Sequence, residues 1–209
     1  MDSAYFKRFR MEAPLGSERE EFALPAGYRF VPWHDGLLDA HARTKYRSFR
    51  SEIDAVVFPC LGDLEGCRRL MREIRGKAGF LPAATWLVAR SRPPHLPASE
   101  QPPHLHQQPV EVDWCATIQG VVDNAGVGSI QNVGVVPSHR GLGLGTALIE
   151  RAILGFAGLG VGRVSLEVTV DNARAVRLYQ RLGFRRVKTI YKVVDGPSWQ
   201  LGEREPALL

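Results

Sequence analysis

The chain has 209 residues, of which 44% are hydrophobic and 23% are charged, and its formal net charge is +5. This length suits one domain with some decoration, and the apolar content is sufficient for a buried core. No stretch is long and apolar enough to span a membrane, and the opening residues are too charged for a secretory signal. We therefore expect a cytoplasmic protein with no membrane partner.

The positive charge is scattered along the chain. Charge alone is compatible with a nucleic-acid partner, but the absence of a basic cluster interleaved with aromatic residues disfavours one. A basic surface would also suit an anionic cosubstrate. The sequence leaves the formation of a homodimer open.

The first half of the chain divides into an extension and the start of a domain. Residues 1–26 are predicted to be an N-terminal extension of mixed charge, outside a main domain over 27–195. Apolar spacing then predicts a strand, two helices and a second strand. Asp63 would cap the second helix and Gly76 would end it. The four elements are expected at 28–33, 36–53, 63–75 and 84–90.

A proline-rich stretch over 91–113 is predicted to be a loop insertion, because its prolines forbid regular structure. Its three histidines lack the cysteine or acidic partners that a convincing metal site needs, so no metal is expected. The cysteines of the chain form no CxxC pair and no zinc spacing, and we expect reduced thiols. The three histidines are His95, His104 and His106, and the three cysteines are Cys60, Cys67 and Cys115.

The second half begins with two strands joined by the turn "DNAG", which predicts an antiparallel hairpin. A helix, a strand, another helix and a last strand follow. Asp171 or Asn172 would cap the last helix, and Gly183 would close it. The order predicts a mixed α/β sheet with helices on its faces, followed by a C-terminal tail over 196–209. The strands are expected at 115–122, 129–136, 163–170 and 185–194, and the first of the two helices at 145–157.

The stretch "HRGLGLGTALIE" places three glycines directly before a helix. It does not fit the GxGxxG dinucleotide motif, and no lysine follows the glycines as a P-loop requires. What remains is RxxGxG, with Arg140, Gly143 and Gly145. The first N–H groups of a helix lack internal partners and lie at its positive end, and glycine lets phosphate oxygens approach them. The pattern predicts a pyrophosphate site, although a tight turn without a ligand is the alternative.

Two segments together resemble the GCN5-related N-acetyltransferase (GNAT) family: "VGVVPSHRGLGLGTALIERAI" and "LEVTVDNARAVRLYQRLGF". The resemblance is strong over 115–190, only topological over 27–90, and absent from 1–26 and 91–113. It implies the GNAT acyl-CoA N-acyltransferase fold, which is a mixed, mostly antiparallel sheet with helices on both faces.

The resemblance also implies acetyl-CoA as cosubstrate. The backbone of the glycine loop would cradle the pyrophosphate. The strand before the loop would bulge and splay from its parallel neighbour, exposing backbone to the pantetheine arm. Asn172 matches an asparagine that touches the cofactor in the family, but a plain helix cap explains it equally well. The residues implied are Val133, Gly134, Val135, Arg140, Gly141, Leu142, Gly143, Leu144, Gly145, Thr146 and Asn172.

Acetyl transfer to an amine needs a base, because a free lysine amine has a pKa of about 10.4 and must lose a proton before it attacks. The resemblance to bacterial ribosomal-protein-alanine N-acetyltransferases implies Glu167 as proton acceptor and Tyr179 as proton donor to the leaving thiolate. Tyr179 could instead be a core aromatic, and Glu167 a solvated carboxylate or half of an ion pair. A water relay is the fallback for the base, and its weaker rivals are Glu111, Asp113 and Asp123.

The sequence therefore predicts an N-acetyltransferase that moves acetyl from acetyl-CoA to a primary amine by direct attack in a ternary complex. The acceptor could be a small molecule or a protein. In the family the first two helices shape the acceptor site, and here "HARTKYRSFRSEIDAVVFP" spells out no substrate. The alternative is a non-catalytic CoA-binding sensor or regulatory module. The last helix carries arginines that we expect to form a solvated face, namely Arg174, Arg177 and Arg181.

Overall fold

The computed structural model of the protein describes residues 3–16, 22–90 and 112–195. The loop expected over 91–113 therefore lies outside the described residues, apart from its last two positions, and so does the expected tail over 196–209. The three histidines and Glu111 within that loop are also outside. Among the described residues, no helix is both long and apolar enough to cross a membrane.

A single seven-stranded sheet forms the centre of the molecule, in the order β2-β3-β4-β5-β6-β1-β7. All neighbouring pairs are antiparallel except β5 and β6, which are parallel. The mixed, mostly antiparallel sheet expected from the sequence is thus confirmed. The strands are β1 Ser3–Pro14, β2 Tyr28–Pro32, β3 Phe80–Arg90, β4 Asp113–Val122, β5 Gly128–Val135, β6 Arg163–Thr169 and β7 Arg185–Asp195.

Within the described residues, five α-helices connect the strands: α1 Leu38–Phe49, α2 Ile53–Val57, α3 Leu64–Arg75, α4 Leu144–Ala157 and α5 Ala173–Arg181. Asp63 caps α3 through a hydrogen bond from the Gly66 amide, as predicted. The single helix predicted over 36–53 is wrong at its end, because α1 stops at Phe49. Glu52 is extended there, with φ −105° and ψ 161°, and redirects the chain into α2.

The helices cover both faces of the sheet, as expected. His41 of α1 hydrogen-bonds to Thr117 of β4, whereas a Cβ at Gly120 of β4 would lie 2.9 Å from Phe156 of α4. Residues three apart on a strand point to opposite faces, so α1 and α4 lie on opposite sides. A small cluster that includes Met71 of α3 packs beneath α1, and the main core lies under α4.

The assignment of residues 1–26 to an extension is wrong for Ser3–Pro14, which is β1, paired with β6 on one side and β7 on the other. Met11 and Ala13 of this strand are 1% and 0% exposed within the main core. The alternate positions Arg8, Arg10 and Glu12 carry charges, so the segment does keep the period of two of a strand, and its assignment to an extension overlooked this pattern. Two of those charges are paired across the sheet, Arg8 with Glu167 and Glu12 with Arg163.

Candidate active site

A cleft opens where the parallel strands β5 and β6 separate. The two strands pair only at Gly128↔Val164 and Ser129↔Ser165 and then diverge. On its other side, β5 gains one residue relative to β4, because Gln131 pairs with Gln119 and Gly134 with Thr117. The bulge and splay that the resemblance implied are both present, and they leave one backbone edge of β5 facing the cleft.

Two residues explain the local shape of this bulge. Asn132 adopts φ 49°, in the left-handed region that asparagine tolerates better than most residues. A Cβ at Gly134 would lie 2.9 Å from both Ser48 and Phe49 of α1, so glycine lets the helix approach the strand closely. The bulge therefore sets both the direction of the exposed edge and the position of α1.

The head of α4 forms one end of the cleft. Gly141 and Gly143 have φ values of 82° and 79°, and Gly143 occupies the cap position with no side chain to bond the helix. No acidic residue lies in the first turn of α4. The first amides therefore lack both internal partners and a neutralising carboxylate, which favours an anion there.

A cavity of about 540 Å³ lies in front of these amides. It is lined by every residue that the sequence predicted to bind the cofactor, except Leu142. Leu142 is 44% exposed. Arg174 and Arg181 of α5, predicted to be a solvated face, are exposed and also line this cavity.

Arg140 fastens the glycine loop to the helical face. Its guanidinium donates to the carbonyls of Val135 and Ser48 at 3.1 and 2.9 Å and to Glu52 at 2.7 Å. These bonds occupy the side chain, so the loop offers its backbone to the cavity. The assignment of the Arg140 backbone to the pyrophosphate stays a prediction.

A second cavity, of about 490 Å³, continues the cleft on the far side of Tyr179. Glu167 lines this half, so the structure brings the predicted base and the predicted acid to one cavity. Tyr179 lines both halves, as do Phe49, Asp54 and Asn172. The cleft therefore has an anion-binding end and an opposite end, with Tyr179 at the junction.

Tyr179 is both a core residue and a cleft residue. It is 8% exposed, and its ring packs edge-on against Phe184 with centroids 6.1 Å apart. Burial, and secondarily the charge of Asp54, raises the pKa of its hydroxyl well above the ordinary value. The hydroxyl therefore stays protonated throughout the neutral range.

Glu167 is half of an ion pair, one of the alternatives left open by the sequence. Its Oε2 lies 2.6 Å from Nη1 of Arg8, and its side chain is 43% exposed. The guanidinium of Arg8 also lies 4.6 Å from the centre of the Phe58 ring. Sequence reasoning missed Arg8 because it treated that segment as an extension.

Asp54 is the second residue that sequence reasoning missed. The carboxylate accepts hydrogen bonds from Thr169 Oγ1 and from Asn172 Nδ2, each at 3.2 Å. Burial raises the pKa of Asp54, although these bonds and Arg8 oppose the rise. Asn172 is also the N-cap of α5, accepting from the Ala175 amide at 3.1 Å, so it serves two roles.

Of the weaker candidate bases that the structure describes, Asp123 also lines the second cavity, whereas Asp113 lines neither cavity of the cleft. Asp123 accepts hydrogen bonds from the Ala125 and Val127 amides within the β4–β5 turn. Asp113 belongs to a group with Cys115 and His139 whose potential ligand atoms lie within 4.8 Å of one another.

That group of three is already linked by internal bonds. The imidazole of His139 lies 2.9 Å from the Tyr28 hydroxyl through Nδ1 and 3.2 Å from Asp113 through Nε2. The Cys115 thiol donates to the Asp113 carbonyl at 3.1 Å. A guanidinium nitrogen of Arg47 lies 3.8 Å from the Asp113 carboxylate. We interpret the group as a hydrogen-bonded support behind the glycine loop.

Comparison with known proteins agrees with this geometry. The family model for the acetyltransferase (GNAT) family matches residues 71–184, which is more than half of the chain. The chain belongs to the GNAT family. The resemblance found in the sequence is thereby confirmed.

Curated relatives and solved structures extend the match. A mycothiol acetyltransferase of Beutenbergia cavernae is 46% identical over 184 residues, covering 84% of this chain and 52% of that protein. A GCN5-related N-acetyltransferase from Sphaerobacter thermophilus superposes with a TM-score of 0.60 at 21% identity, covering 90% of this chain and 50% of the other. The ribosomal-protein-S18-alanine N-acetyltransferase from Escherichia coli gives a TM-score of 0.53 at 16% identity, over 83% of this chain and 98% of the other.

The two structural matches show the fold. The chain spans about half the length of the curated relatives that it matches along most of its own length. Family membership and the fold are therefore established by these comparisons, and the reaction of this chain is argued from its cleft.

Proposed function

We propose that the protein transfers the acetyl group of acetyl-CoA to a primary amine by direct attack within a ternary complex. The observation that carries this proposal is the continuous cleft, which has uncapped amides of α4 at one end and Tyr179 at its junction. The curated relatives, which are named acetyltransferases, support the same reaction.

The anion-binding end fits the diphosphate of coenzyme A. The amides at the head of α4 would bind its oxygens, and Gly141 and Gly143 present no Cβ to obstruct them. The exposed edge of β5 from Val133 to Val135 would pair with the amides of the pantetheine arm. This arrangement directs the thioester towards Tyr179.

The remaining groups supply the proton transfers. A backbone N–H of the splayed β5 edge would stabilise the negative charge that develops on the thioester oxygen. Tyr179 would protonate the leaving thiolate. Glu167 lines the acceptor half of the cleft, where it is held by Arg8. The reaction drawn in this way uses no metal, and we propose that it takes place in the cytoplasm.

The acceptor amine would enter the half of the cleft lined by Glu167. This half combines charged side chains with the aromatic rings of Phe49 and Phe58. Because the curated relatives are named mycothiol acetyltransferases, the acceptor amine of those enzymes is the first one to test. Other amines of small molecules and a protein N-terminus complete the set.

The test is thiol release from acetyl-CoA by the purified full chain, measured against a panel of these amines. We expect release that depends on one class of acceptor, with the acetylated product detected by mass spectrometry. Coenzyme A binding without acceptor-dependent release would overturn the proposal in favour of a sensor. Absence of coenzyme A binding by calorimetry would overturn it entirely.

A further inference from the structure

Asp54 occupies the point where the two halves of the cleft meet. It lines both cavities, and it shares this position with Tyr179. The two side chains are close enough for the charge of Asp54 to help raise the pKa of the Tyr179 hydroxyl. A group that binds at the junction therefore meets a carboxylate and a phenol together.

The carboxylate is held in place by neutral donors. Thr169 at the end of β6 and Asn172 at the cap of α5 each donate one hydrogen bond to it. Both donors belong to the rigid sheet and helix that form the cleft, so the position of Asp54 is fixed although α2 has only five residues. The oxygen lone pairs left over after these bonds are available to a ligand in the cleft.

Glu167 is engaged differently. Its carboxylate is held by the Arg8 guanidinium at 2.6 Å, so accepting a proton would cost Glu167 this ion pair. Asp54 has no direct cationic partner among the hydrogen bonds and ion pairs that the described residues form with it. Four carboxylates line the cleft: Glu52, Asp54, Asp123 and Glu167. Glu52 and Glu167 are paired with arginines, and Asp123 accepts two amides of its own turn, so Asp54 is the best placed to receive a cation.

We infer that Asp54 is a catalytic residue that binds the acceptor as an ammonium ion beside Tyr179 and takes its first proton. This inference rests on the proposed acetyl transfer. Glu167, paired with Arg8, then forms the wall of the acceptor half and orients the rest of the acceptor.

The proton balance is as follows. Between ammonium and amide the nitrogen loses two protons while the N–C bond forms and the C–S bond breaks. One proton goes to Asp54 and from there to solvent. Tyr179 gives its proton to the leaving sulfur and regains one from the nitrogen. The products are the amide, the free thiol of coenzyme A and one released proton.

The charges around Asp54 are compatible with this role. Arg8 of β1 lowers the pKa of Asp54 and the neighbouring Glu52 raises it, but burial is the largest influence and raises it overall. Glu52 is itself bonded to Arg140. A raised pKa makes the carboxylate a stronger proton acceptor than an exposed aspartate, as acid–base catalysis near neutral pH requires.

Asp54→Asn tests the inference, because an amide can keep both hydrogen bonds, donating to Thr169 and accepting from Asn172. At neutral pH we expect kcat/KM to fall by at least about 100-fold. The loss should shrink as the pH approaches the pKa of the acceptor amine, which then supplies its own neutral form. Asp54→Glu should recover part of the activity. The Kd for coenzyme A should remain within about twofold, because Asp54 contributes no amide to the diphosphate site.

Asp39→Asn is the matched control, since Asp39 is an exposed carboxylate on α1 that pairs with Arg43 and Arg68 away from the cleft. It should leave the pH profile unchanged. A profile for Asp54→Asn parallel to that of the wild type, with an equal loss at every pH, would show a merely structural role and overturn the inference. So would a pH-dependent loss that appears only in Glu167→Gln. If the wild type itself acetylates no amine, the proposed function fails rather than this assignment.

Discussion

Arg8 and Glu167 form an ion pair across two neighbouring strands, with Nη1 and Oε2 2.6 Å apart. Arg8 stands on β1, directly beside β6, and its side chain is only 11% exposed. The N-terminal strand therefore contributes a charged group to the acceptor half of the cleft. It is part of the site as well as part of the sheet.

Arg8→Gln should change the pH dependence of the reaction. Arg8 lowers the pKa of Asp54, so loss of the guanidinium should raise that pKa and shift the acidic limb of kcat/KM to higher pH. Arg10→Gln removes the same charge from the same strand and the same cavity, but Arg10 pairs with Glu12 and does not perturb Asp54. An equal shift in both variants would show a general charge effect and contradict the specific coupling.

The buried face of β1 gives a prediction about stability. Met11 is 1% exposed in the main core, so Met11→Ala should lower the free energy of unfolding by about 2–5 kcal/mol, through lost burial and a residual cavity. Tyr5 on the same strand is 69% exposed, and Tyr5→Ala should change the free energy of unfolding by less than about 0.5 kcal/mol. Urea unfolding measures both. Similar small effects would mean that β1 is not an integral strand.

The glycine loop and most elements could be predicted from the sequence because their causes are local. The cap at Asp63, the turn after β4 and the amides ahead of α4 all depend on residues within a few positions of one another. The alternation of apolar and charged residues in β1 is also local, but the partners of its charged face could not be recognised in this way. Its charges are satisfied by partners on β6, and their positions depend on the register of the whole sheet.

Asp54 shows the same limit within the site. Its hydrogen-bond partners Thr169 and Asn172 are 115 and 118 positions away in the chain. The sequence marked the surrounding segment as part of the acceptor region, but no local pattern distinguished this aspartate from its neighbours. Only the break after α1, which was also not predicted, brings α2 to the end of β6.

Gly143→Ala should separate backbone strain from ligand binding. Gly143 has φ 79°, and a Cβ there would lie 3.3 Å from the Phe22 ring. We expect a loss of about 1 kcal/mol in stability, because an L side chain is strained in the left-handed region. We also expect coenzyme A affinity to fall by at least about tenfold, since the new methyl group obstructs the amides.

Gly160→Ala is the control for that variant. Gly160 has φ 72° in the turn at the opposite end of α4, with open space around its Cβ position. Gly160→Ala should lose about as much stability as Gly143→Ala but should keep the wild-type affinity for coenzyme A. Calorimetric titration of both variants decides the matter, and equal affinities would contradict a diphosphate site at the head of α4.

Tyr179→Phe should keep the packing of the aromatic ring and remove the hydroxyl that we propose as the proton donor. The ring contact with Phe184 is retained, so the free energy of unfolding should change little. The rate constant kcat should fall by at least about 100-fold, while the Kd for coenzyme A stays within about twofold. Stopped-flow thiol release measures the first quantity and calorimetry the second. A kcat close to that of the wild type would remove Tyr179 from the mechanism.

Lys45 gives a prediction about pH and stability that does not involve the cleft. Its side chain is fully buried on α1, its Nζ has no hydrogen-bond partner among the residues that the structure describes, and burial lowers its pKa to about 7. In the unfolded chain the pKa is about 10.4. Between these values the unfolded state holds a proton that the folded state has released, so stability rises with pH. The slope for one proton is at most about 1.4 kcal/mol per pH unit.

Lys45→Met should remove this slope and raise the stability at neutral pH, because no charge then has to be buried. The difference in the free energy of unfolding between Lys45→Met and the wild type should shrink as the pH rises from about 7 to 8.5. Urea unfolding across this pH window measures it. Above about pH 8.5 the buried thiols of Cys67 and Cys115, whose pKa values rise to about 11, make the stability fall as the pH rises, because the folded state keeps protons that the unfolded state releases. Lys188→Met, which removes an exposed lysine, should leave the slope unchanged. A constant difference between Lys45→Met and the wild type across this window would show that Lys45 does not release its proton on folding.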